Sequence, residues 1–185
     1  MMGRLCGLPD RGGRANVRGA FKAEVWRIRE MGGSSKGQPL SLSVWTVTDT
    51  PSAGAWRDVL SGIIVLVVED DGPSRETLAL VFGHCGARVL ATASAAEALR
   101  QYARAYPALI VSDIGLPGKD GYALIRNIRA RDHARGTRTP AIAVSGLDAV
   151  DMTERVRAAG FDEFLPKPVD VPTLLATARS LLEAA

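Results

Sequence analysis

Short apolar runs alternate with longer amphipathic stretches from Ile63 to the end of the chain. The runs predict strands, and the stretches predict helices. The predicted strands cover 63–68, 87–92, 108–112, 140–145 and 161–165, and the predicted helices cover 73–84, 94–104, 120–131, 149–159 and 170–184. Because nearly continuous apolar strands are separated by single helices, we expect a parallel sheet with helices on both faces. With right-handed crossovers, five such units form a doubly wound α/β fold.

Residues at the predicted helix ends support this assignment. Ser94 precedes a helix and is followed three residues later by Glu97, which is a capping-box pattern. Gly86 and Gly160 stand where helices should end. Asp170 is placed to cap the last helix.

Residues 1–62 have a different texture from the rest of the chain. Gly, Arg, Ser and Pro are scattered through them, and the Gly- and Ser-rich stretch at 32–39 interrupts any helix. For a chain of 185 residues we expect one domain with an extension. We therefore predict a poorly structured N-terminal leader over 1–62 and a folded domain over 63–185.

The net charge of +3 comes from the leader. Residues 1–62 carry nine Lys and Arg against five Asp and Glu, whereas residues 63–185 carry 14 against 15. The predicted domain is therefore close to neutral, which argues against a basic nucleic-acid-binding surface. We expect no direct nucleic-acid partner.

Cysteine content and hydropathy bear on the location of the chain. Cys6 and Cys85 are the only cysteines and lie in different parts of the chain, so they define neither a disulfide framework nor a zinc motif. The apolar run at 63–68 is far shorter than the roughly 20 residues of a membrane-spanning helix. We expect a cytoplasmic protein without a membrane partner.

Acidic residues follow two of the predicted strands. Glu69 and Asp70 come directly after the first strand, and Asp113 follows the third. Parallel strands place their carboxyl ends at one edge of the sheet, where ligands of such folds bind. Carboxylate oxygens suit Mg²⁺. The sequence therefore predicts a magnesium site in which Asp113 takes part and to which the Gly115 carbonyl could contribute.

A hydroxyl and an ammonium group follow the other two strands at this edge. Ser145 ends the fourth strand and Lys167 follows the fifth. A carboxylate such as Asp113 can accept a phosphoryl group as a nucleophile, and a hydroxyl and an ammonium can bind the phosphoryl oxygens. Pro168 could form a cis bond that directs Lys167 towards the site.

Each of these residues also has a purely structural interpretation. A lone aspartate at a strand end is more often a helix cap, and Asp71 is better explained as the cap of the first helix. Ser145 alone would be an ordinary turn residue. His84 and His133 are too far apart along the chain to indicate a metal site or a phosphohistidine. We expect five arginines to form a solvated face and loop, namely Arg126, Arg129, Arg131, Arg135 and Arg138.

The combined motifs resemble the receiver domains of two-component response regulators. The resemblance rests on VLVVEDD at 65–71, LIVSDIGLPGKDGYALIRNIR at 109–129, PAIAVSG at 140–146 and FDEFLPKPVD at 161–170. It extends over 63–185 and implies a flavodoxin-like (βα)5 fold that acts in a phosphorelay.

The resemblance also implies roles for individual residues. Asp113 would be the phosphoacceptor, and Glu69, Asp70 and Asp113 would hold Mg²⁺. Ser145 and Lys167 would contact the phosphoryl group. Glu69 stands where many members of the family have aspartate, a change that keeps the carboxylate.

The same resemblance implies a switch and partners. Phe164 matches the aromatic switch position of the family. The phosphoryl donor would be a sensor histidine kinase or a phosphotransfer protein, and a downstream protein would bind the surface over 149–184. Because the chain ends with the last helix, we expect no DNA-binding or enzymatic output domain to follow it.

Two alternatives remain open. The domain could be the C-terminal receiver of a hybrid sensor histidine kinase, with the leader a remnant of what precedes it. It could also be a phosphohydrolase similar to haloacid dehalogenase-like enzymes, but those have a second aspartate two residues after the nucleophile, where this chain has Gly115. Their nucleophile also follows the first strand, whereas Asp113 follows the third. We therefore expect a signalling module and no enzyme.

Overall fold

The computed structural model describes residues 56–116, 121–146 and 152–185 as alternating strands and helices. The strands are β1 (Ile64–Val68), β2 (Arg88–Thr92), β3 (Leu109–Asp113), β4 (Ala141–Ser145) and β5 (Glu163–Pro166). The helices are α1 (Gly72–His84), α2 (Ala95–Ala105), α3 (Gly121–Ala134), α4 (Met152–Ala159) and α5 (Val171–Ala184). The predicted order of elements is confirmed, with ends that shift by a few residues. Residues 149–151 of the predicted fourth helix lie outside the described ranges.

All five strands form one parallel sheet in the order β2-β1-β3-β4-β5. The chain winds outwards from β1 to β2 and then crosses to the other side of β1 to add β3. The carboxyl ends of β1 and β3 are therefore neighbours at the point where the winding direction changes, which is where doubly wound folds bind ligands. The predicted flavodoxin-like (βα)5 fold is confirmed.

The core consists of two hydrophobic clusters, one on each face of the sheet. Along β1, Val65 and Val67 belong to the cluster shared with α1 and α5, whereas Leu66 and Val68 belong to the cluster shared with α2, α3 and α4. This alternation follows from the period of two in a strand. Burial on both faces explains why the strands are apolar at successive positions. Among the helices of the described ranges, none combines the length and apolarity that crossing a bilayer requires.

The expected helix caps are present. Asp71 accepts a hydrogen bond from the backbone N–H of Ser74, and Ser94 accepts one from that of Glu97. Asp170 caps α5 by accepting from the backbone N–H of Thr173. These caps satisfy N–H groups that have no partner within their own helix.

The fold also includes residues 56–62, which belong to the predicted leader. They form turns against the amino-terminal edge of the sheet, and Leu60 is only 2 % exposed. The backbone N–H of Leu60 donates to the carbonyl of Cys85 at 2.8 Å. The apolar core therefore extends before β1. The remaining leader residues, 1–55, lie outside the described ranges.

A buried carboxylate connects α2 and α3 to the start of β4. Asp132 is 2 % exposed and accepts a hydrogen bond from the Tyr102 hydroxyl and another, at 2.9 Å, from the backbone N–H of Thr139. Burial, followed by the contact with Asp132, raises the pKa of Tyr102 from 10.0 to about 12. The network therefore stabilises the neutral tyrosine in the folded state.

Arg129 belongs to the same network, so its prediction as part of a solvated face is wrong. Its side chain is 14 % exposed and lies 2.8 Å from Asp132 and 2.9 Å from Asp162. Its Nε also donates to the Gly160 carbonyl at 2.7 Å. The arginine is enclosed because the end of α3 faces the turn before β5, a long-range contact that the spacing of charges cannot reveal.

We predict that Gly86→Ala destabilises the domain more than Gly136→Ala. Both glycines have a positive φ, of 85° and 63°, so alanine is strained at either position by about 1–2 kcal/mol. A Cβ at position 86 would also lie 2.7 Å from Ser61 Oγ and 3.1 Å from Asp58 Cα, whereas one at 136 meets nothing within 4 Å. Urea unfolding of both variants measures the difference, and equal losses would show that the 56–62 turns do not press on this position.

The raised pKa of Tyr102 predicts a loss of stability at high pH. Because the folded state favours the neutral tyrosine, this stabilisation is complete below pH 10 and is lost as the pH rises towards about 12. Between about pH 8 and about pH 11, the wild type should lose roughly 1 kcal/mol more than Tyr102→Phe. Urea unfolding at both pH values tests this. Tyr106→Phe, which changes an exposed tyrosine, should keep the wild-type decline.

Candidate functional site

The carboxyl edge of the sheet brings together the residues that the sequence placed at strand ends. Glu69 follows β1 directly, Asp113 ends β3 and Lys167 follows β5. Oxygen atoms of Glu69, Asp70 and Asp113 all lie within 4.8 Å of one another. The predicted convergence of an acidic pair, a single aspartate and an ammonium group is therefore present in the structure.

The Lys167 ammonium lies between two of the carboxylates. Its Nζ donates to Asp113 Oδ2 at 2.6 Å and to Glu69 Oε1 at 3.0 Å, and it lies 2.8 Å from Glu69 Oε2. Burial alone would lower the pKa of Lys167, but the hydrogen bonds to Asp113 and Glu69 outweigh burial and raise it. The lysine therefore carries its charge at neutral pH. The Lys167–Pro168 peptide bond is cis.

Glu69 is the most enclosed of the carboxylates. It is 1 % exposed, whereas Asp70 is exposed and the Asp113 side chain is 12 % exposed. Burial is the main cause that raises the pKa of Glu69, and the charge of Asp113 adds to it, while Lys167 acts in the opposite direction. Keeping Glu69 ionised beside Asp113 therefore costs free energy, and the positive charge of Lys167 reduces this cost.

The loop after β3 fixes the orientation of Asp113. The backbone N–H of Gly115 donates to Asp113 Oδ1 at 2.8 Å, while Oδ2 faces Lys167. Gly121, the first residue of α3, leaves no room for a side chain, because a Cβ there would lie 2.5 Å from the Asp113 carbonyl oxygen. The two Asp113 oxygens thus have different partners.

Ser145 and Phe164 lie on the two strands beyond Asp113. Ser145 is 2 % exposed, and its carbonyl accepts the backbone N–H of Lys167 at 2.8 Å. Phe164 is half-buried, pairs in register with Ala143 and packs against the cluster of α2, α3 and α4. The structure therefore places Ser145 at the carboxyl end of β4 and Phe164 on β5, two positions before Pro166, which pairs with Ser145.

The carboxylate cluster fits a hard divalent cation. Mg²⁺ prefers oxygen ligands and commonly takes only one or two protein carboxylates besides water and phosphate oxygens. Glu69, Asp70 and Asp113 offer such oxygens from two neighbouring strand ends. The buried Glu69 Oε2 lies near Lys167 but outside hydrogen-bonding geometry, so it retains a lone pair for a ligand. These residues could therefore hold a metal ion.

Sequence reasoning missed Arg75. This residue lies in the first turn of α1, and its Nη1 donates to the carbonyl oxygens of Glu69 at 2.8 Å and Asp70 at 3.0 Å. The available signal was a basic residue five positions after Asp70, which alone resembles any charged helix residue.

We predict that Lys167→Met destabilises the metal-free domain by about 1–3 kcal/mol. Loss of one partner from a fully buried ion pair costs about 3–5 kcal/mol, and the 30 % exposure of Lys167 reduces this value. The loss should be larger at about pH 8 than at about pH 5, since Glu69 without the lysine can bind a proton at low pH. Urea unfolding in a chelator measures it.

The matched control is Arg157→Met. Arg157 Nη2 lies 3.9 Å from Oε1 of Glu163, the first residue of β5, and both side chains are largely exposed, at 61 % and 43 %. Its removal should change stability by less than about 1 kcal/mol. Equal effects of the two variants would mean that Lys167 is not needed to neutralise the carboxylates.

Comparisons with known proteins agree with this geometry. The family model of the response regulator receiver domain matches residues 65–179. The chain is 35 % identical over 113 residues to the virulence sensor protein BvgS of Bordetella pertussis, covering 60 % of this chain and 9 % of that protein. It is 35 % identical over 120 residues to the response regulator MprA of Mycobacterium leprae, covering 64 % and 50 %. The chain therefore spans half or less of these relatives.

A solved structure supports the same assignment. The receiver domain of the Francisella response regulator 1452 superposes with a TM-score of 0.60 at 25 % identity, covering 66 % of this chain and 98 % of that one. Family model, relatives and fold agree. The chain belongs to the family of response regulator receiver domains, which act in phosphorelay signalling.

Proposed function

We propose that Asp113 accepts a phosphoryl group from a sensor histidine kinase or a phosphotransfer protein and that the modified domain then signals through protein contacts. One observation carries the proposal. The Asp113 carboxylate lies at the carboxyl edge of the sheet, 2.6 Å from the Lys167 ammonium and within 4.8 Å of two further carboxylates. This combination suits a nucleophile that must receive a negatively charged group.

The proposed reaction uses the two oxygen atoms of the Asp113 carboxylate, which have different partners. One of its oxygens attacks phosphorus, so that an O–P bond forms while the bond from phosphorus to the donor breaks, and the donor leaves with the electron pair. The Gly115 N–H holds Oδ1 in place, and Lys167 at Oδ2 is positioned to bind a phosphoryl oxygen. The Ser145 hydroxyl is the second candidate for such a contact.

Glu69, Asp70 and Asp113 are the proposed Mg²⁺ ligands, and the Gly115 carbonyl is a further candidate. When bound, Mg²⁺ would neutralise charge on the transferred group. Lys167 partly neutralises two of these carboxylates, Asp113 at 2.6 Å and Glu69 at 2.8 Å. A cation beside the carboxylates would therefore free the lysine to contact the phosphoryl group.

The proposed output passes through β4 and β5. A phosphoryl group on Asp113 adds charge beside Ser145, which is buried at the end of β4. Phe164 is half-buried on the neighbouring strand and is the proposed switch. A local change of charge can select between two arrangements of such a surface. The proposed partner surface comprises α4, β5 and α5, within 149–184.

The match to the virulence sensor protein BvgS favours the alternative in which the domain is the receiver of a hybrid sensor histidine kinase. Only 9 % of that protein is covered, so a receiver of this kind can form a small part of a longer sensor protein. In that setting the phosphoryl donor could belong to the same polypeptide. The haloacid dehalogenase-like alternative is disfavoured. Those enzymes need an acidic side chain two residues after the nucleophile, whereas Gly115 offers only its backbone N–H, which donates to Asp113.

We predict that the full chain gains one phosphoryl group from acetyl phosphate or phosphoramidate in the presence of Mg²⁺. Intact mass spectrometry should show the adduct in the wild type and none in Asp113→Asn or in a chelator. Glu76→Gln is the matched control, because Glu76 is an exposed carboxylate on α1 outside the cluster, and it should be modified like the wild type.

Three outcomes would contradict the proposal. The first is a folded wild type without adduct, which would indicate a receiver fold that acts by protein contacts alone. The second is an adduct that persists in Asp113→Asn, which would place the modification elsewhere. The third is continuous turnover of a generic phosphate ester, which would favour a phosphohydrolase.

A further inference from the structure

The Arg75 guanidinium binds the backbone of the two residues that supply adjacent site carboxylates. Its Nη1 donates to the Glu69 carbonyl at 2.8 Å and to the Asp70 carbonyl at 3.0 Å. Both carbonyls lie in the short loop between Val68, the end of β1, and Gly72, the start of α1. One nitrogen therefore fixes the relative orientation of two consecutive peptide groups.

Other backbone contacts fix the two ends of the loop. On one side, the Glu69 N–H donates to the Thr92 carbonyl at 3.0 Å, which continues the sheet. On the other side, the Asp71 carbonyl accepts the backbone N–H of Arg75 at 2.9 Å. The Glu69 and Asp70 carbonyls lie between these two anchors. A rotation of either peptide would redirect the carboxylate beside it.

The loop also has a reason to open. Glu69, Asp70 and Asp113 carry like charges within 4.8 Å of one another, and their repulsion favours separation. Lys167 contacts only Glu69 and Asp113 among these three, so it does not hold Asp70. Arg75 donates from one guanidinium nitrogen to both carbonyls and so can fix the loop that carries Asp70.

We propose that Arg75 is a positioning residue that holds the β1–α1 loop so that the Glu69 and Asp70 carboxylates are arranged in advance for the divalent cation. This inference rests on the proposed function. The positive charge of Arg75 has the opposite effect on affinity, because it repels a cation. Positioning and charge therefore make opposite predictions for variants at this residue.

Four variants of the full chain separate the two effects when Mg²⁺ affinity is measured by isothermal titration calorimetry. Arg75→Met removes both the charge and the hydrogen bonds. Arg75→Gln removes the charge and keeps a donor, whereas Arg75→Lys keeps the charge with one flexible donor. Arg100→Met is the control, since Arg100 is an exposed arginine on α2.

Positioning predicts that Arg75→Met weakens Mg²⁺ binding about 10–100-fold, the range for loss of a group that orients metal ligands. Arg75→Gln and Arg75→Lys should lie between it and the wild type, and Arg100→Met should bind like the wild type. Unchanged or tighter binding by Arg75→Met would overturn the inference, because charge would then outweigh position.

A second readout separates positioning from damage to the fold. The rate of phosphorylation by acetyl phosphate, measured against Mg²⁺ concentration, should shift its midpoint to higher concentration in Arg75→Met and reach the wild-type rate at saturation. A rate that stays low at saturating Mg²⁺ would overturn the positioning role. A wild type that binds no Mg²⁺ would instead overturn the proposed function, and this inference with it.

Discussion

The structure depends on the placement of three carboxylates and one ammonium group at a single edge of the sheet. The carboxylate oxygens lie within 4.8 Å of one another, and burial raises the pKa of Glu69. Such a cluster is costly unless a positive charge is close. Lys167 supplies that charge, and its raised pKa reflects the same attraction. Among the described residues of the site, carboxylates outnumber the ammonium group, and their oxygens are of the kind that hard divalent cations prefer.

The sheet order makes this placement possible. β1 and β3 are neighbours, so Glu69 and Asp113 emerge side by side, but β4 separates β3 from β5. Lys167 must therefore reach across the end of β4. Its backbone N–H is bonded to the Ser145 carbonyl, and its Nζ is bonded to Asp113. The Ser145 carbonyl therefore holds the backbone of Lys167 at the end of β4, while the side chain of Lys167 reaches the end of β3.

Much of this architecture could be read from the sequence, because the strands are buried on both faces and appear as unbroken apolar runs. Acidic residues stand at the carboxyl ends of these runs. Predicting β1 and β3 therefore also predicted where Glu69 and Asp113 lie. The contacts of Arg75, Arg129 and Leu60 could not be predicted in this way. Arg75 and Arg129 are ordinary polar residues of helices, and their partners are backbone or side-chain groups that only the tertiary fold brings close. Leu60 lies in the Gly-rich leader, whose composition does not predict a buried residue.

The two edges of the sheet differ in how well their charges are satisfied. At the amino-terminal edge, Asp132 and Asp162 are paired with Arg129 through contacts of 2.8 and 2.9 Å, and Leu60 extends the apolar core. At the carboxyl edge, Lys167 contacts only two of the three carboxylates, Glu69 and Asp113. The ion pairs of the first edge therefore neutralise its buried charges, whereas the second edge keeps a carboxylate, Asp70, that Lys167 does not contact. Such a division between the two edges is expected, since residues arranged for ligand binding are seldom arranged for greatest stability.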